Sequence, residues 1–250
     1  MRLGADPEVF LVDATGKHIS AIPYIKADKW NPMQIPDMDE GYTLQQDNVS
    51  LEYGIPPAAS ADEFVKHIQQ VMQKSLEYVP KGLSFSKLSC TIFEKDQMDH
   101  PLAHVFGCEP DYCAWTQDEN KKPQPPHEFM RSAGGHIHVE TKKNPYLCVK
   151  KMDLFLGVPS TLMDKGEERK QLYGKSGAMR IKPYGFEYRV LSNFWIFEEK
   201  YIRWAWKQTQ RALNSNVVVD DIAEYIDIAI NKNDKEMAQA LVNEYHLEMV

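Results

Sequence analysis

The stretches GHIHVE at residues 135–140 and GFEYRVL at residues 185–191 decide the fold. In both stretches apolar side chains alternate with polar ones, which is the period of a β-strand that buries one face. Similar patterns predict strands over residues 8–13 and 43–53, and a Ser-rich pattern predicts another over residues 83–93. We expect these strands to form a mostly antiparallel sheet.

Helices are predicted between and after these strands. Ser60 and Glu63 form a capping box that opens a helix ending near Val79. Residues 146–157 form a second predicted helix, which ends before Pro159 because proline interrupts a helix. Further helices are predicted over residues 198–213, 221–231 and 234–245. The expected fold class is therefore α+β, with a mostly antiparallel sheet backed by helices and a helical C-terminal tail.

Composition and charge narrow the functional class. The chain has 250 residues, with 29 Lys and Arg against 36 Asp and Glu, which gives a net charge of −7. A general nucleic-acid binder is normally basic because it must neutralise phosphates, so we expect no direct binding of nucleic acid. An acidic chain still has the carboxylates that bind a divalent metal and the local cations that bind a nucleotide.

Sequence features that would mark a membrane or secreted protein are missing. No apolar run reaches the ~20 residues of a membrane span, and the N-terminal residues lack the apolar core of a signal peptide. The four cysteines are too few for a disulfide scaffold. We therefore expect a cytoplasmic protein with reduced thiols and no membrane partner.

The chain divides into two predicted parts. Residues 1–213 carry the strands and form one catalytic domain, and residues 214–250 form a helical C-terminal extension. Five prolines fall within residues 95–133, which predicts a loop-rich insertion in the first part.

Acidic, imidazole and guanidinium side chains share faces of the predicted strands, because residues two apart in a strand point the same way. The pairs are Asp6 with Glu8, His136 with His138, and Glu187 with Arg189, and Glu52 lies on the polar face of the predicted strand 43–53. If these faces converge, their carboxylates suit a hard divalent cation such as Mg²⁺ or Mn²⁺. Arg189 would then hold a phosphate group. This combination is typical of phosphoryl transfer.

Each feature taken alone also has an ordinary structural explanation. An acid on a strand is more often solvated than bound to a metal, and a single His-x-His pattern is usually incidental. A Glu-x-Arg pattern on a strand is often a surface ion pair. The combination of polar faces set in apolar strands, three of them next to glycine, favours a site.

The stretch YGKSG at residues 173–177 contains part of a P-loop pattern. Arg169 stands where that pattern requires glycine, and a helix-like stretch precedes it instead of a strand, so we reject a P-loop. Lys175, followed by Arg180 and Lys182, either contacts phosphates or forms an ordinary basic turn.

Two cysteine-based sites are not favoured. Cys108 and Cys113 lie five residues apart, with Cys90, His100 and His104 nearby in the sequence. No Cys-x-x-Cys pattern occurs, which argues against a structural zinc site. No cysteine lies in a recognisable nucleophile motif, which argues against a Cys–His catalytic pair.

Four motifs follow one another along the chain: GADPEVF at residues 4–10, LE at 51–52, SAGGHIH at 132–138 and GFEYRVLSN at 185–193. This ordered set resembles the phage-encoded COOH–NH2 ligases of type 2, which are amidoligases with a glutamine-synthetase-like fold. The resemblance covers residues 1–213. It implies an antiparallel sheet behind a metal-lined bowl that binds ATP.

The resemblance also implies roles for individual residues. The metal ligands would be Asp6, which replaces the first Glu of the family's Gly-x-Glu-x-Glu motif, together with Glu8, Glu52, His136 and Glu187. The residues on the nucleotide phosphates would be His138, Arg180 and Arg189, with Lys175 and Lys182 as candidates from the basic stretch. Residues 107–111 also resemble a family feature, to which no role is assigned.

The implied reaction is ATP-dependent amide formation with bound Mg²⁺, for which Mn²⁺ could substitute. A substrate carboxylate attacks the γ-phosphoryl group, and an amine then displaces phosphate from the acyl phosphate. Glu187, Arg189 and Arg180 would be the catalytic residues, and Asp47 or Asp111 the general base. The substrates would be small-molecule, peptide or protein carboxylates and amines in the host cytoplasm, and an oligomer is compatible with the sequence.

Two alternatives stay open on the sequence alone. A phosphotransferase of the guanidino-kinase type needs the same metals and arginines but forms no amide. A non-catalytic phage interaction protein could retain the scaffold without binding metal or nucleotide.

Overall fold

Within residues 1–105 and 110–250, which the computed structural model describes, ten strands form one sheet and two more form a separate antiparallel pair. The strands are β1 Leu3–Val12, β2 His18–Ile19, β3 Met33–Gln34, β4 Thr43–Asp47, β5 Ser50–Gly54, β6 Ser84–Ser86, β7 Cys90–Ile92, β8 Tyr112–Cys113, β9 Met130–Ser132, β10 Gly135–Glu140, β11 Ala178–Lys182 and β12 Gly185–Tyr188. Cys108, and with it most of the 107–111 motif, lies outside the described residues.

Six α-helices accompany the strands in the described part of the chain. They are α1 Ala61–Ser75, α2 Pro145–Met152, α3 Val158–Met163, α4 Glu199–Asn214, α5 Ala223–Asn231 and α6 Lys235–Glu244. A π-helical turn, Asp153–Gly157, joins α2 to α3 without a break. Single 3₁₀ turns include Glu167–Gln171, which precedes β11, and Asn193–Ile196, which follows β12.

The sheet order places the first strand of the chain at the centre. The order is β3-β4-β5-β1-β10-β12-β11-β8, and every pair along this path is antiparallel. The distal half of β1 pairs with β2 and β6. The expected α+β class with a large antiparallel sheet is therefore confirmed.

One face of this sheet forms the main core. Ala5, Leu51, Ile137 and Tyr188 lie on it and are almost fully buried beneath the helices. The opposite face carries the polar residues of the same strands, because side chains alternate along each strand. The separation of the two faces leaves the polar face available for a site.

Helix α1 begins as the sequence predicts. Ser60 is its N-cap and accepts a hydrogen bond from the Glu63 amide, while the Glu63 carboxylate accepts one from the amide of Ala59. The predicted apolar stripe faces the core, where the ring of Phe64 stacks on Trp195 at 5.7 Å between centroids. The capping residues therefore fix where the helix starts, and the aromatic contact fixes how it packs.

Two strand predictions are wrong. Residues 43–53 are not one strand but the hairpin of β4 and β5, which turns at Asn48 and Val49. Asn48 adopts a φ of 57°, a left-handed conformation that asparagine tolerates better than most residues. Residues 83–93 are likewise divided into β6, which pairs with β1, and β7, which pairs with β9.

Two predicted boundaries also move. The first strand begins at Leu3 and not at residue 8, so the whole Asp6–Pro7–Glu8 stretch is inside it. The second predicted helix does not end before Pro159 but continues to Met163. Pro159 is tolerated because it lies in the first turn of α3, directly after the π-helical turn.

The C-terminal helices pack against the body of the protein. Ala238 and Leu241 of α6 belong to the main core cluster, and the Trp204 indole on α4 donates to the Glu248 carbonyl at 2.8 Å. The division into residues 1–213 and 214–250 stays a prediction. Among the described residues, no helix is both long and apolar enough to cross a membrane.

Candidate functional site

Strand register aligns the predicted site residues in a band across the polar face of the sheet. Glu8 on β1 lies opposite Glu52 on β5, and Asp6 lies opposite His136 on β10. The band continues where His138 lies opposite Glu187 on β12, and Glu187 lies opposite Arg180 on β11. Residues from five segments of sequence are thus neighbours because antiparallel partners face each other.

His136 is the centre of this band and is only 3% exposed. Its Nδ1 lies 3.3 Å from Oδ1 of Asp6, 3.5 Å from Oε1 of Glu187 and 3.9 Å from Oε1 of Glu8. Nη1 of Arg189 lies 3.2 Å from the same nitrogen. One imidazole nitrogen therefore lies within reach of three carboxylates and one guanidinium.

Asp6 contacts both histidines of β10. Its Oδ2 lies 3.2 Å from Nε2 of His138, whose Nδ1 is 2.7 Å from the hydroxyl of Tyr184. Burial favours a neutral Asp6, but His138 and His136 hold the pKa of this carboxyl well below its usual value. Burial also opposes a charged His138, yet the Asp6 carboxylate raises the pKa of that imidazole overall.

Glu187 is completely buried and is surrounded by three cations. Nζ of Lys182 lies 3.2 Å from its Oε2 and Nη1 of Arg180 lies 3.8 Å from its Oε1, while Arg189 forms a direct ion pair with Oε1. Burial alone would favour the neutral acid, but Arg189 lowers the pKa of Glu187 to about 2. Nε of Arg189 also lies 3.5 Å from Asp111.

Glu8 and Glu52, the acids on the other side of His136, accept hydrogen bonds from neutral donors. The Gly134 amide donates to Oε2 of Glu8 at 2.6 Å, and Gln45 donates to Oε2 of Glu52 at 2.7 Å. Burial and then the neighbouring charge of Asp47 raise the pKa of Glu52 well above its usual value. Burial and then Glu8 raise the pKa of Asp47 to about 6. The carboxyls of Glu52 and Asp47 are thus harder to ionise, in part because acidic neighbours lie close by.

The donor set fits a divalent metal. Single ligand atoms of Asp6, His138 and Glu187 lie within 4.8 Å of one another. Within the described residues, Oδ1 of Asp6, Nε2 of His138 and Oε2 of Glu187 are buried and make no well-oriented hydrogen bond, although each lies 3.2 or 3.3 Å from an ion-pair partner. Buried polar atoms normally make hydrogen bonds of good geometry, so these atoms are available to a metal ion. The carboxylate oxygens of this set suit a hard cation such as Mg²⁺ or Mn²⁺.

A cavity of about 400 Å³ opens over this band, a volume typical of small-molecule sites. The predicted residues that line it are Asp6, Glu8, Glu52, His136, Arg180, Lys182, Glu187 and Arg189. His138 is not part of the lining but contacts Asp6 at its edge. Lys175 lies apart from the other predicted residues, since it is exposed and does not line the cavity. Asp47, a candidate base, does line it.

Sequence reasoning missed several lining residues. Arg169, which appeared only as an argument against a P-loop, is 2% exposed, and its guanidinium donates to the carbonyls of Ala133 at 3.1 Å and Val190 at 3.2 Å. Others include Asp28, Lys29, Trp30, Arg131 and Tyr173. Except for Arg131, which lies on the short strand β9, these come from loops and turns, where no strand alternation marks which side chains point inward.

A comparison with known families supports part of the sequence analysis. The family model of the phage phiEco32-like COOH.NH2 ligase-type 2 matches residues 124–220. This is the family that the four motifs resemble, and the matched segment carries β10, β11 and β12 with their histidines, arginines and Glu187. Asp6, Glu8 and Glu52 lie before it. No curated protein matches the chain.

Proposed function

We propose that this protein is an ATP- and Mg²⁺-dependent carboxylate–amine ligase on a glutamine-synthetase-like fold. The observation that carries the proposal is the convergence of acids, an imidazole and guanidinium groups at one cavity. The converging residues are Asp6, His136, Glu187, Arg180 and Arg189. The partial family match supports the same reaction class, because the family is named for joining COOH and NH2 groups.

The two ends of the band would have different tasks. Asp6, Glu8, Glu52, His136 and Glu187 would hold divalent metal, together with His138, whose Nε2 belongs to the same ligand cluster; the metal would supply charge neutralisation for the ATP phosphates. The cationic end would bind the phosphates directly, through Arg180, Lys182 and Arg189, with Lys175 as a further candidate. Because Glu187 lies 3.5 Å from His136 and also pairs with Lys182 and Arg189, it would connect the two ends.

The chemistry needs activation because a carboxylate oxygen is a poor leaving group. A carboxylate oxygen of the substrate forms a bond to the γ-phosphorus as the bond to ADP breaks, which gives an acyl phosphate. The amine nitrogen then forms a bond to the acyl carbon as phosphate leaves. Arg180 and Arg189 stabilise the negative charge on the transferred group.

The amine must lose a proton during the second step. Asp47 and Asp111 are the candidate bases. Asp111 lies 3.5 Å from Nε of Arg189, so its carboxylate is already engaged by a guanidinium. Asp47 lines the cavity beside the acidic end of the band, so we assign the proton to Asp47.

Trapping with hydroxylamine tests the proposal before the natural amine is known. The protein is incubated with ATP, Mg²⁺, pooled carboxylates and hydroxylamine, and hydroxamates are sought by mass spectrometry. With pooled amines instead, the expected product is one water lighter than its two reactants. Asp62→Asn is a matched control, because it removes an exposed acid on α1 far from the band.

The other outcomes separate the alternatives. A phosphorylated product that is stable to hydroxylamine would make the protein a phosphotransferase and overturn amide formation. Absence of nucleotide binding by calorimetry at millimolar ATP with Mg²⁺ would overturn both enzymatic functions and favour an interaction protein.

A further inference from the structure

Residues 173–177, the glycine loop, connect a cavity-lining turn to the strand that carries Arg180. Tyr173 at its start lines the cavity, and β11 begins directly after its end. Gly174 and Gly177 both have positive φ values, 74° and 75°, so the loop adopts backbone conformations that other residues rarely populate. Such a loop needs external contacts to hold one conformation.

Helix α5 provides contacts of this kind. The Ser176 amide donates to Oδ1 of Asn231 at 2.8 Å, and the Ser176 hydroxyl donates to Oδ1 of Asp227 at 2.7 Å. Asn231 donates in turn to the Ser176 hydroxyl at 3.0 Å and to Asp227. Asp227 and Asn231 lie one helical turn apart, so both reach the same serine.

In this Ser176–Asp227–Asn231 triad, each hydrogen-bond donor on Ser176 and on the Asn231 side chain has an acceptor that also belongs to the triad. The serine amide, the serine hydroxyl and the Asn231 amide group each have a partner inside the triad. Ser176 itself is 3% exposed. Asp227 is exposed and only the serine side of the triad is buried, but hydrogen bonds to a carboxylate are stronger than bonds between neutral groups, so the triad anchors the loop.

The anchor continues on both sides of Ser176. The Gly177 amide donates to the buried Asp153 carboxylate at 2.6 Å, and Lys170 donates to the Gly174 carbonyl. The loop is therefore also fixed to the π-helical turn that contains Asp153 and to the 3₁₀ turn that contains Lys170. Only the triad ties it to the C-terminal helices, among the hydrogen bonds of the described residues.

We infer that Asp227 and Asn231 are positioning residues for the cationic end of the cavity: by holding Ser176, they keep Tyr173 and Arg180 in the geometry that binds nucleotide phosphates. This inference rests on the proposed function, because it takes the ligand to be ATP. It gives the C-terminal extension a task in the site, although its helices contribute no lining residue among those described.

A near-isosteric variant tests the anchor. Asn231→Asp replaces the amide donor by a carboxylate beside Asp227, so the two acids repel and the triad opens. The double variant Asp227→Asn with Asn231→Asp exchanges acid and amide, and again supplies one carboxylate and one amide donor to Ser176. Lys232→Gln is the matched control, since it lowers the charge of the same helix by one unit at an exposed position.

The measurements are amide hydrogen exchange without ligand and the Kd for ATP with Mg²⁺ by calorimetry. For Asn231→Asp we expect Ser176 to exchange about tenfold faster and the Kd to rise about tenfold, the effect of losing one charge-assisted hydrogen bond. The double variant should return both values to within about threefold of wild type. Lys232→Gln should leave both unchanged.

The results that overturn the inference are distinct from those that overturn the proposed function. Faster exchange at Ser176 with an unchanged Kd would show that the loop does not position the phosphate-binding groups, while ATP binding itself stands. If Asn231→Asp fails to fold, the double variant decides. A double variant that folds but binds ATP more weakly than Lys232→Gln would also overturn the inference. A wild-type protein that does not bind ATP overturns both.

Discussion

Asp6 and His136 face each other across β1 and β10, with Oδ1 of the acid 3.3 Å from Nδ1 of the imidazole. The contact joins the first strand of the chain to a strand from its middle. Both side chains are largely buried on the polar face of the sheet. This pair therefore marks the place where distant parts of the sequence form one site.

Removal of the Asp6 charge should weaken metal binding. Asp6→Asn keeps the shape of the side chain but loses the carboxylate that lies between His136 and His138. Loss of groups that merely orient metal ligands costs about 10–100-fold in affinity, so we expect the Kd for Mn²⁺ to rise by at least tenfold. Titration followed by electron paramagnetic resonance measures it. An unchanged Kd, equal to that of Asp62→Asn, would remove Asp6 from the metal site.

Glu187→Gln should impair both turnover and stability. The variant weakens a proposed metal ligand, and we expect turnover to fall by at least ~10²-fold. Urea denaturation measures the loss of stability that follows from breaking the ion pair with Arg189. A double variant with Arg189→Ala should destabilise less than the sum of the two single changes; additive effects would argue against a coupled pair.

Gly134→Ala should displace a site residue without unfolding the protein. A Cβ at this position would lie 2.4 Å from Nε2 of His136 and 3.0 Å from Nη2 of Arg169. The imidazole must therefore shift, and we expect weaker Mn²⁺ binding with a preserved circular dichroism spectrum. Gly4→Ala is the control, because its Cβ would meet the nearest atom, on His138, at an ordinary 3.5 Å. Equal Mn²⁺ affinities in the two variants would contradict the prediction.

Asp153 should make the fold less stable as pH rises. Burial raises the pKa of its carboxyl to about 7 although Trp115, Tyr188 and Gly177 hydrogen-bond to it. The unfolded chain loses this proton near pH 4 and the folded chain near pH 7, so the free energy of unfolding should fall across that range. Asp153→Asn should remove this part of the slope.

Urea denaturation of both proteins at several pH values isolates the effect of Asp153, because every other titrating group is common to the two. Asn retains an oxygen for the Trp115 and Gly177 donors and an amide group for the Tyr188 hydroxyl, so the variant should fold. Parallel curves for the two proteins between pH 4 and 7 would show that Asp153 does not titrate there.

The sequence predicts the central strands well, because their pattern is regular. Residues 135–140 form β10 as expected, since Ile137 and Val139 face the core while His136 and His138 face the band of charged residues. The hairpin at Asn48 escapes prediction because Val49 continues the alternation through the turn. Val49 is buried in a small separate cluster with Phe10 and Phe93, and only the tertiary structure reveals that cluster.

The acids and histidines of the band could also be found from the sequence, because strand spacing places them on one face. Arg169 could not, since its position depends on a 3₁₀ turn that folds back over the end of β9. The contact of Asp227 with the glycine loop is equally hidden, because it joins an exposed helix to a loop more than fifty positions earlier. Packing between elements, and not local pattern, determines both.

The central place of β1 has a consequence for how the protein folds. β1 precedes β10 and β12 in the sequence, and its polar face is completed only when those later strands have been synthesised and have paired beside it. Contacts so distant in sequence form slowly. A nascent chain that stops before β12 would therefore expose the acids of β1 without their cationic partners, which makes the assembly of the charged band a late event of folding.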